Sequence, residues 1–286
     1  MISKLSIGAA QFGMHYGISN KNDIVGPKDI SSILDYAYAN NILLIDTAEA
    51  YGKSEVNLGA QKRIKDGDFK LISKVNNLEK RVEESFFLTL EHLNQSKIYG
   101  YLLHNFNLIE QDENVIHDLF NLKKKGLVEK IGVSIYHPNQ AHELLTKFPF
   151  IDIIQLPYSL FDQRFQNTLE FIKSHDVEIH ARSIFLQGLV FLDPSELNDF
   201  YNPAFKNLKS LKKLSLDLGI SIHSLAINFV LTNRFIDHLI IGMSSYADIK
   251  QNNSALYDSA FNQTIYPKLS ELSIEDENII LPYNWK

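Results

Sequence analysis

Along this chain, short unbroken apolar runs alternate with longer segments whose apolar residues recur every three or four positions. Runs of the first kind, bounded by Gly, Asn or Pro, read as buried strands, and segments of the second kind as helices with one face inward. Strands are predicted at Leu5–Ala10, Leu43–Asp46, Lys70–Val75, Tyr99–His104, Lys130–Ile135, Ile151–Leu156, Val177–Ser183 and His238–Gly242. Helices are predicted from Pro27 to Asn40, with Ile30, Ile33, Leu34 and Ala37 on one face, from Ser54 to Ile64, and from Leu78 to Leu93. Others run from Asn114 to Lys125, closed by Gly126, from Pro138 onward, and from Thr168 to His175. Two more, Ala204–Leu218 and Ile222–Thr232, precede the last strand, and one begins near Ala247. Pro27 and Pro138 suit first-turn positions, where a missing N–H leaves no bond unmade.

Eight strand–helix alternations without a low-complexity linker predict an α/β fold, a closed (β/α)8 TIM barrel, as a single domain over residues 1–286. An open dinucleotide-binding sheet is the weaker choice, because the first strand–helix turn carries no Gly-x-Gly-x-x-Gly fingerprint.

Composition changes that picture little. The chain has 286 residues, 45% hydrophobic and 22% charged, within the ordinary globular range. Its net charge of −6, with Lys and Arg dispersed, offers no basic patch to nucleic acid. With no cysteine there are no disulfides, thiolate metal sites or cysteine nucleophiles, and no metal is called for. Lys4 interrupts the first apolar run, so no signal-peptide core is present, and no stretch approaches the roughly 18 apolar residues that span a bilayer. A cytoplasmic protein without a membrane partner is expected.

Candidate chemistry appears at the strand ends. In a barrel the C-terminal ends of the strands gather the active-site loops, and here they carry Asp46, Lys74, His104, Ser134, Gln155 and Arg182-Ser183, with Tyr51 on the loop after Asp46. Singly, each has an ordinary reading: a strand His as a hydrogen-bonded core residue, an Asp as a cap, a Lys as a solvated end, a Tyr as surface filler. Four ionisable groups from three neighbouring strands at one end argue for a site. A phenol with a pKa near 10 is a poor acid at neutral pH, and a cation beside it lowers that value. Lys74 is the candidate cation, Asp46 its counterion, and His104 a second donor to a carbonyl oxygen placed beside Tyr51.

These residues resemble the aldo-keto reductase superfamily, (β/α)8 barrels that reduce carbonyls with NAD(P)H. The resemblance rests on Asp46-Thr47-Ala48 with Tyr51-Gly52 and Ser54-Glu55, on Ser73-Lys74, and on Leu102-Leu103-His104. It continues through Lys130-Ile131-Gly132-Val133-Ser134, Ile154-Gln155, Gln187-Gly188-Leu189 and Ile241-Gly242-Met243-Ser244-Ser245, covering roughly residues 3 to 255. It implies NADP(H) or NAD(H) as cofactor, with Tyr51 as proton donor, Lys74 and Asp46 as its tuning pair and His104 orienting the substrate. It implies that Ser134 and Gln155 hold the nicotinamide carboxamide, that Ser183, Phe185, Gln187 and Gly188 line the pyrophosphate, and that Gly242, Ser244, Ser245 and Asn252 meet the adenosine end. Three positions depart from the family pattern. Ile135 stands where Asn usually follows the strand-five Ser. Arg182 replaces the ring that commonly stacks on the nicotinamide, and as a cation it disfavours the oxidised, cationic form. Asp248 replaces an Arg common in NADP-preferring members, which opens NAD or dual use.

The leading reading is thus reduction of an aldehyde or ketone to an alcohol by hydride transfer. Its competitors are a barrel-shaped nucleotide-binding regulatory or scaffold protein, and a redox-neutral enzyme that uses bound NAD(P) internally. The expected partner is a small carbonyl substrate, with a deoxysugar or other sugar derivative as one class. The specificity loops are residues 13–26, 105–112, 158–167 and 192–203 and the tail 281–286, which carry Tyr16, Phe106, Tyr158, Phe161, Arg164 and Tyr201. Gln11 and Phe12 are candidates for contact with nicotinamide or substrate. Oligomeric state is not legible.

Overall fold

The structure is a computed structural model that describes residues 3–20, 23–256 and 258–285, the side chain of Gln263 excepted. Residues 21–22 of the loop 13–26 and Lys286 of the tail lie outside the described residues. Eight parallel strands, β1 Leu5–Gly8, β2 Leu44–Asp46, β3 Lys70–Val75, β4 Ile98–Leu103, β5 Val128–Ser134, β6 Ile153–Pro157, β7 Glu178–Arg182 and β8 His238–Gly242, follow one another around a closed barrel. β1 closes the ring by pairing with β8, Leu5 opposite Leu239 and Gly8 opposite Gly242. Helices occupy the connections and cover the outside of the barrel.

Side chains alternate across each strand, so every second residue points into the barrel. At the N-terminal end Glu178 accepts hydrogen bonds from Tyr99 Oη and from Lys130 Nζ. Leu44, Ile72, Tyr99, Leu102, Ile153 and Ile240 form a separate apolar cluster. The C-terminal layer is polar, holding Asp46, Lys74, Ser134 and Gln155, all buried. The outward residues join the larger core between sheet and helices. Burying the apolar side of that alternation contributes about 25 cal/mol per Å².

Helix boundaries follow local chemistry. Pro27 opens the helix Pro27–Ala39, and His137 with Gln140 forms a capping box for Pro138–Lys147. The helix expected over 54–64 breaks into Ser54–Gly59 and Lys62–Lys65, because Gln61 adopts an extended backbone. The helix expected from Leu78 starts only at Val82; Asn77 Oδ1 captures the Glu79 N–H, a turn that competes with helix. A short helix, Asn107–Gln111, forms inside the loop after β4. Among the described residues, no single helix is long and apolar enough to cross a membrane.

Candidate active site

Lys74 and Asp46 are inward residues at the C-terminal ends of β3 and β2. Lys74 Nζ donates to Asp46 Oδ2 at 2.6 Å and to the Thr47 carbonyl at 2.9 Å. From the far side of the barrel, Gln155 Nε2 donates to Asp46 Oδ1 at 2.8 Å. Lys74 is fully buried and Asp46 only 2% exposed, so each ion depends on the other for compensation. Burial pushes the Lys74 ammonium down and the Asp46 carboxylate pushes it back up. On the outward face of the same strand, Ser73 Oγ donates to Glu55 Oε1 at 2.6 Å, as does Thr89 Oγ1 at 2.9 Å. Glu55 therefore ties the helix after Tyr51 to the strand that carries Lys74.

The loop bearing Tyr51 is fixed at both ends. Glu49 N donates to the Lys74 carbonyl, and Ser54 Oγ to the Ala9 carbonyl at 2.7 Å. Only glycine fits at Gly13, where a Cβ would lie 2.0 Å from the Tyr51 carbonyl oxygen. The Tyr51 and His104 rings meet edge to face with centroids 5.5 Å apart, and Lys74 Nζ lies 5.1 Å from the Tyr51 ring centroid. Burial, with Lys74 and Arg182 adding like-sign repulsion, lowers His104 from its usual 6.5 to about 3. The imidazole is therefore neutral. Its Nδ1 is buried without a partner, whereas Nε2 makes no hydrogen bond and opens onto the cavity.

Tyr51 departs from the sequence expectation. Burial raises its phenol above the usual 10, Asp46 raises it further, and Arg182 opposes both. Lys74 Nζ is bound by Asp46 and the Thr47 carbonyl, and the charges that act on the phenol are those of Asp46 and Arg182. The site holds a protonated phenol, not an acidified one.

Above these groups lies a cavity of about 740 Å³. Asp46, Tyr51, His104, Ser134, Gln155 and Arg182 form its floor and near wall, and Ser183, Phe185, Gln187, Gly188, Gly242, Ser244 and Asn252 continue it as a groove. Lys74 lies beneath this surface. Ser245 does not line it: its Oγ accepts from Asp248 N and caps the helix Tyr246–Ala255. Asp248 does line it, with its carboxylate accepting from Ser244 N at 2.9 Å and from Ser244 Oγ at 2.6 Å. Lys250 packs over Tyr246 instead of facing the groove. Arg182 lies 4.2 Å from the Tyr136 ring centroid and donates through Nε to Ser134 Oγ at 3.3 Å and through Nη2 to the Ile135 carbonyl at 3.1 Å. Ile135, where the family pattern has Asn, contributes only that carbonyl while its side chain is buried in the core.

The groove fits a dinucleotide. Gln11 and Asn252, which line it, carry buried Oε1 and Oδ1 atoms without protein partners. Ser183, Leu186 and Gln187 take φ of 60°, 46° and 51°, followed by Gly188 at 92°. Left-handed backbone costs about 1–2 kcal/mol at each non-glycine residue, and such strain concentrates at ligand clamps. It is held by contact with the loop after β1: Ile18 N donates to the Gln187 carbonyl at 3.0 Å, and a Cβ on Gly188 would meet Ser19 Oγ at 1.8 Å.

Most of the aromatic and basic residues singled out for specificity are structural. Tyr158 and Phe161 are fully buried, Phe106 is in the core, Tyr201 packs on Trp285, and Arg164 is paired with Asp162 and Glu277. Phe12 is likewise core, whereas Gln11 and Tyr16 line the cavity. Tyr136 and His223 line it too, unanticipated as site residues, as does Tyr283 of the tail 281–286. Tyr136 stands two residues beyond Ser134, so extending the strand-end search by one turn finds it. His223 sits on a largely buried helix, Ile222–Thr232, and leaves no such signal.

Comparisons with known proteins agree with this geometry. The profile of the Aldo/keto reductase family matches residues 4–273. An uncharacterised oxidoreductase of Bacillus subtilis, YqkF, is 24% identical over 280 residues, which is 89% of this chain and 87% of that protein. L-galactose dehydrogenase of Arabidopsis thaliana is 25% identical over 279 residues, 89% of this chain and 84% of the relative. Among solved structures, the holo form of the aldo-keto reductase AKR11C1 from Bacillus halodurans shares the fold with a TM-score of 0.78 at 22% identity, covering 95% of this chain and 92% of that one.

Proposed function

Because the chain belongs to the aldo/keto reductase family and is an NAD(P)H-dependent oxidoreductase, we propose that it reduces a small polar carbonyl compound at Tyr51, with His104 as second donor. The observation that carries this reading is the juxtaposition of a protonated phenol and a neutral imidazole at the cavity floor, above a buried Lys74–Asp46 pair. When bound, the reduced nicotinamide supplies the hydride. The protein supplies the rest. Nε2–H of His104 and the Tyr51 hydroxyl converge on the carbonyl oxygen and polarise it. As negative charge grows on that oxygen, the Tyr51 proton moves to it, since an alkoxide is more basic than a phenolate. Lys74, held by Asp46 and Thr47 O, then stands near the phenolate that must be reprotonated. A phenol raised by burial keeps its proton at neutral pH, which favours reduction over alcohol oxidation there.

Ser134 and Gln155 are assigned to the carboxamide, Ser183, Phe185, Gln187 and Gly188 to the pyrophosphate, and Gly242, Ser244 and Asn252 to the adenosine end. Asp248 is assigned to accept from a ribose hydroxyl and to repel a 2′-phosphate, which favours NAD(H) over NADP(H). The likeness to L-galactose dehydrogenase supports a sugar derivative as substrate. The test follows reduced-nicotinamide absorbance over a panel of aldehydes, ketones and keto sugars. Tyr51→Phe should lower kcat by at least about 100-fold while leaving cofactor affinity nearly intact. A Phe variant as fast as the unmodified enzyme refutes the role of Tyr51.

A further inference from the structure

Of the five arginines in this chain, four face carboxylates: Arg63 with Asp35 and Asp68, Arg81 with Glu84, Arg164 with Asp162 and Glu277, and Arg234 with Glu170. Arg182, half-buried in the cavity wall, has no acidic partner among the described residues. Its hydrogen bonds all go to neutral acceptors: Nε to Ser134 Oγ, Nη1 to Ser183 Oγ at 3.4 Å and Nη2 to the Ile135 carbonyl. A guanidinium carries five N–H groups, so one on Nη1 and one on Nη2 remain without a protein acceptor. A carboxylate can accept from donors on both Nη atoms.

The guanidinium is also held in place. It lies on the Tyr136 ring, whose backbone N–H donates to Gln140 Oε1 at 2.8 Å and whose ring is met edge-on by Tyr283 at 4.9 Å. Lys74 beneath the floor faces Asp46, and Asp248, farther along the groove, accepts only from neutral Ser244. The cavity floor therefore carries one uncompensated, partly desolvated cation beside the reacting groups, and its field reaches both Tyr51 and His104.

We propose that Arg182 receives a carboxylate of the substrate, so that the compound reduced at Tyr51 is a carboxylate-bearing carbonyl compound, an oxo acid or sugar acid. This rests on the carbonyl-reduction reading of the same site. A carboxylate fits better than a phosphate dianion, because among the described residues no lysine lines the cavity to share a second charge. The anion also offsets the repulsion between Arg182 and an oxidised nicotinamide. Arg182 thus takes part in specificity at the position where the family pattern has a ring.

The test compares acids with their neutral counterparts: para-formylbenzoate with its methyl ester, and D-glucuronate with D-glucose, using NADH and NADPH, with cofactor Kd measured separately by fluorescence quenching. The unmodified enzyme should prefer the acid of each pair. Arg182→Met should lower the acid-to-neutral ratio of kcat/KM on the order of 100-fold, and Arg182→Lys should lower it less, because a point charge keeps the attraction without the fork. The Lys variant carries the test if the Met variant fails to fold. Equal losses for acid and neutral substrate, or a rise in cofactor Kd as large as the loss with the acid, overturn the proposal; the latter assigns the guanidinium to the pyrophosphate. If the ester is reduced and the acid is not preferred, this inference alone falls. If no carbonyl compound is reduced, the reading of the site falls and this inference with it.

Discussion

Replacing His104 with Gln removes an imidazole whose neutrality destabilises the native state in acid, and the size of that effect follows from its surroundings. Burial, Lys74 and Arg182 hold His104 at about 3 in the native protein, against 6.5 for the free group. Above the free value the imidazole is neutral in both native and unfolded chains and contributes nothing to the pH dependence. As pH falls through that value, the unfolded chain takes up a proton that native His104 refuses, so stability is lost progressively until native His104 also protonates near its own lowered value. At about pH 5 the linkage relation gives a penalty of about 2 kcal/mol, reduced toward about 1 kcal/mol by solvent entering through the cavity. The assay is urea unfolding of both proteins at about pH 7.5 and about pH 5. The unmodified protein should lose 1–2 kcal/mol more than His104→Gln between the two, roughly the linkage value. The comparison cancels effects of the substitution that do not depend on pH, and the other buried His residues are common to both. Equal losses would refute the account of a neutral His104, as would an NMR titration placing His104 near its free value.

Lys74→Met should destabilise the fold by about 3–5 kcal/mol, because it leaves Asp46 buried and uncompensated, and Lys74→Met with Asp46→Asn should recover part of that loss. Denaturant unfolding reads both, and a single-variant cost below about 1 kcal/mol would show that water reaches Asp46. Asp248→Arg should raise the NADPH-to-NADH ratio of kcat/KM on the order of 10-fold or more; an unchanged ratio would remove Asp248 from the ribose pocket.

Much of the fold was legible because strand and helix periodicities are local. The eight strand positions follow from apolar runs, and the barrel follows from their number and alternation. The strand-end rule also located Asp46, Lys74, His104, Ser134, Gln155 and Arg182, because side-chain alternation decides which terminal residue faces inward. The specificity loops were much less legible. Tyr158, Phe161 and Arg164 look like ligand contacts in a loop sequence, yet they pack into the core or meet Asp162 and Glu277, partners that loop composition does not reveal. Ser245 reads equally as a ligand contact or a cap, and hydrogen bonding to Asp248 N makes it a cap.

What the sequence by itself determined was the list of ionisable residues at one end of a barrel, since each term of that list depends only on its own strand. The tertiary structure decided what those residues are. Tyr51 was expected to be acidified by a nearby ammonium, but Lys74 from the neighbouring strand and Gln155 from across the barrel both bind Asp46, and burial with the Asp46 charge raises the phenol against the pull of Arg182. Arg182 was read as standing where a stacking ring is common, and the fold adds what sequence does not reveal: it lies on Tyr136 and its acceptors are neutral. Both outcomes depend on burial and on residues far apart in the chain. Electrostatic energy is set by distance and solvent exposure, and the fold alone supplies those.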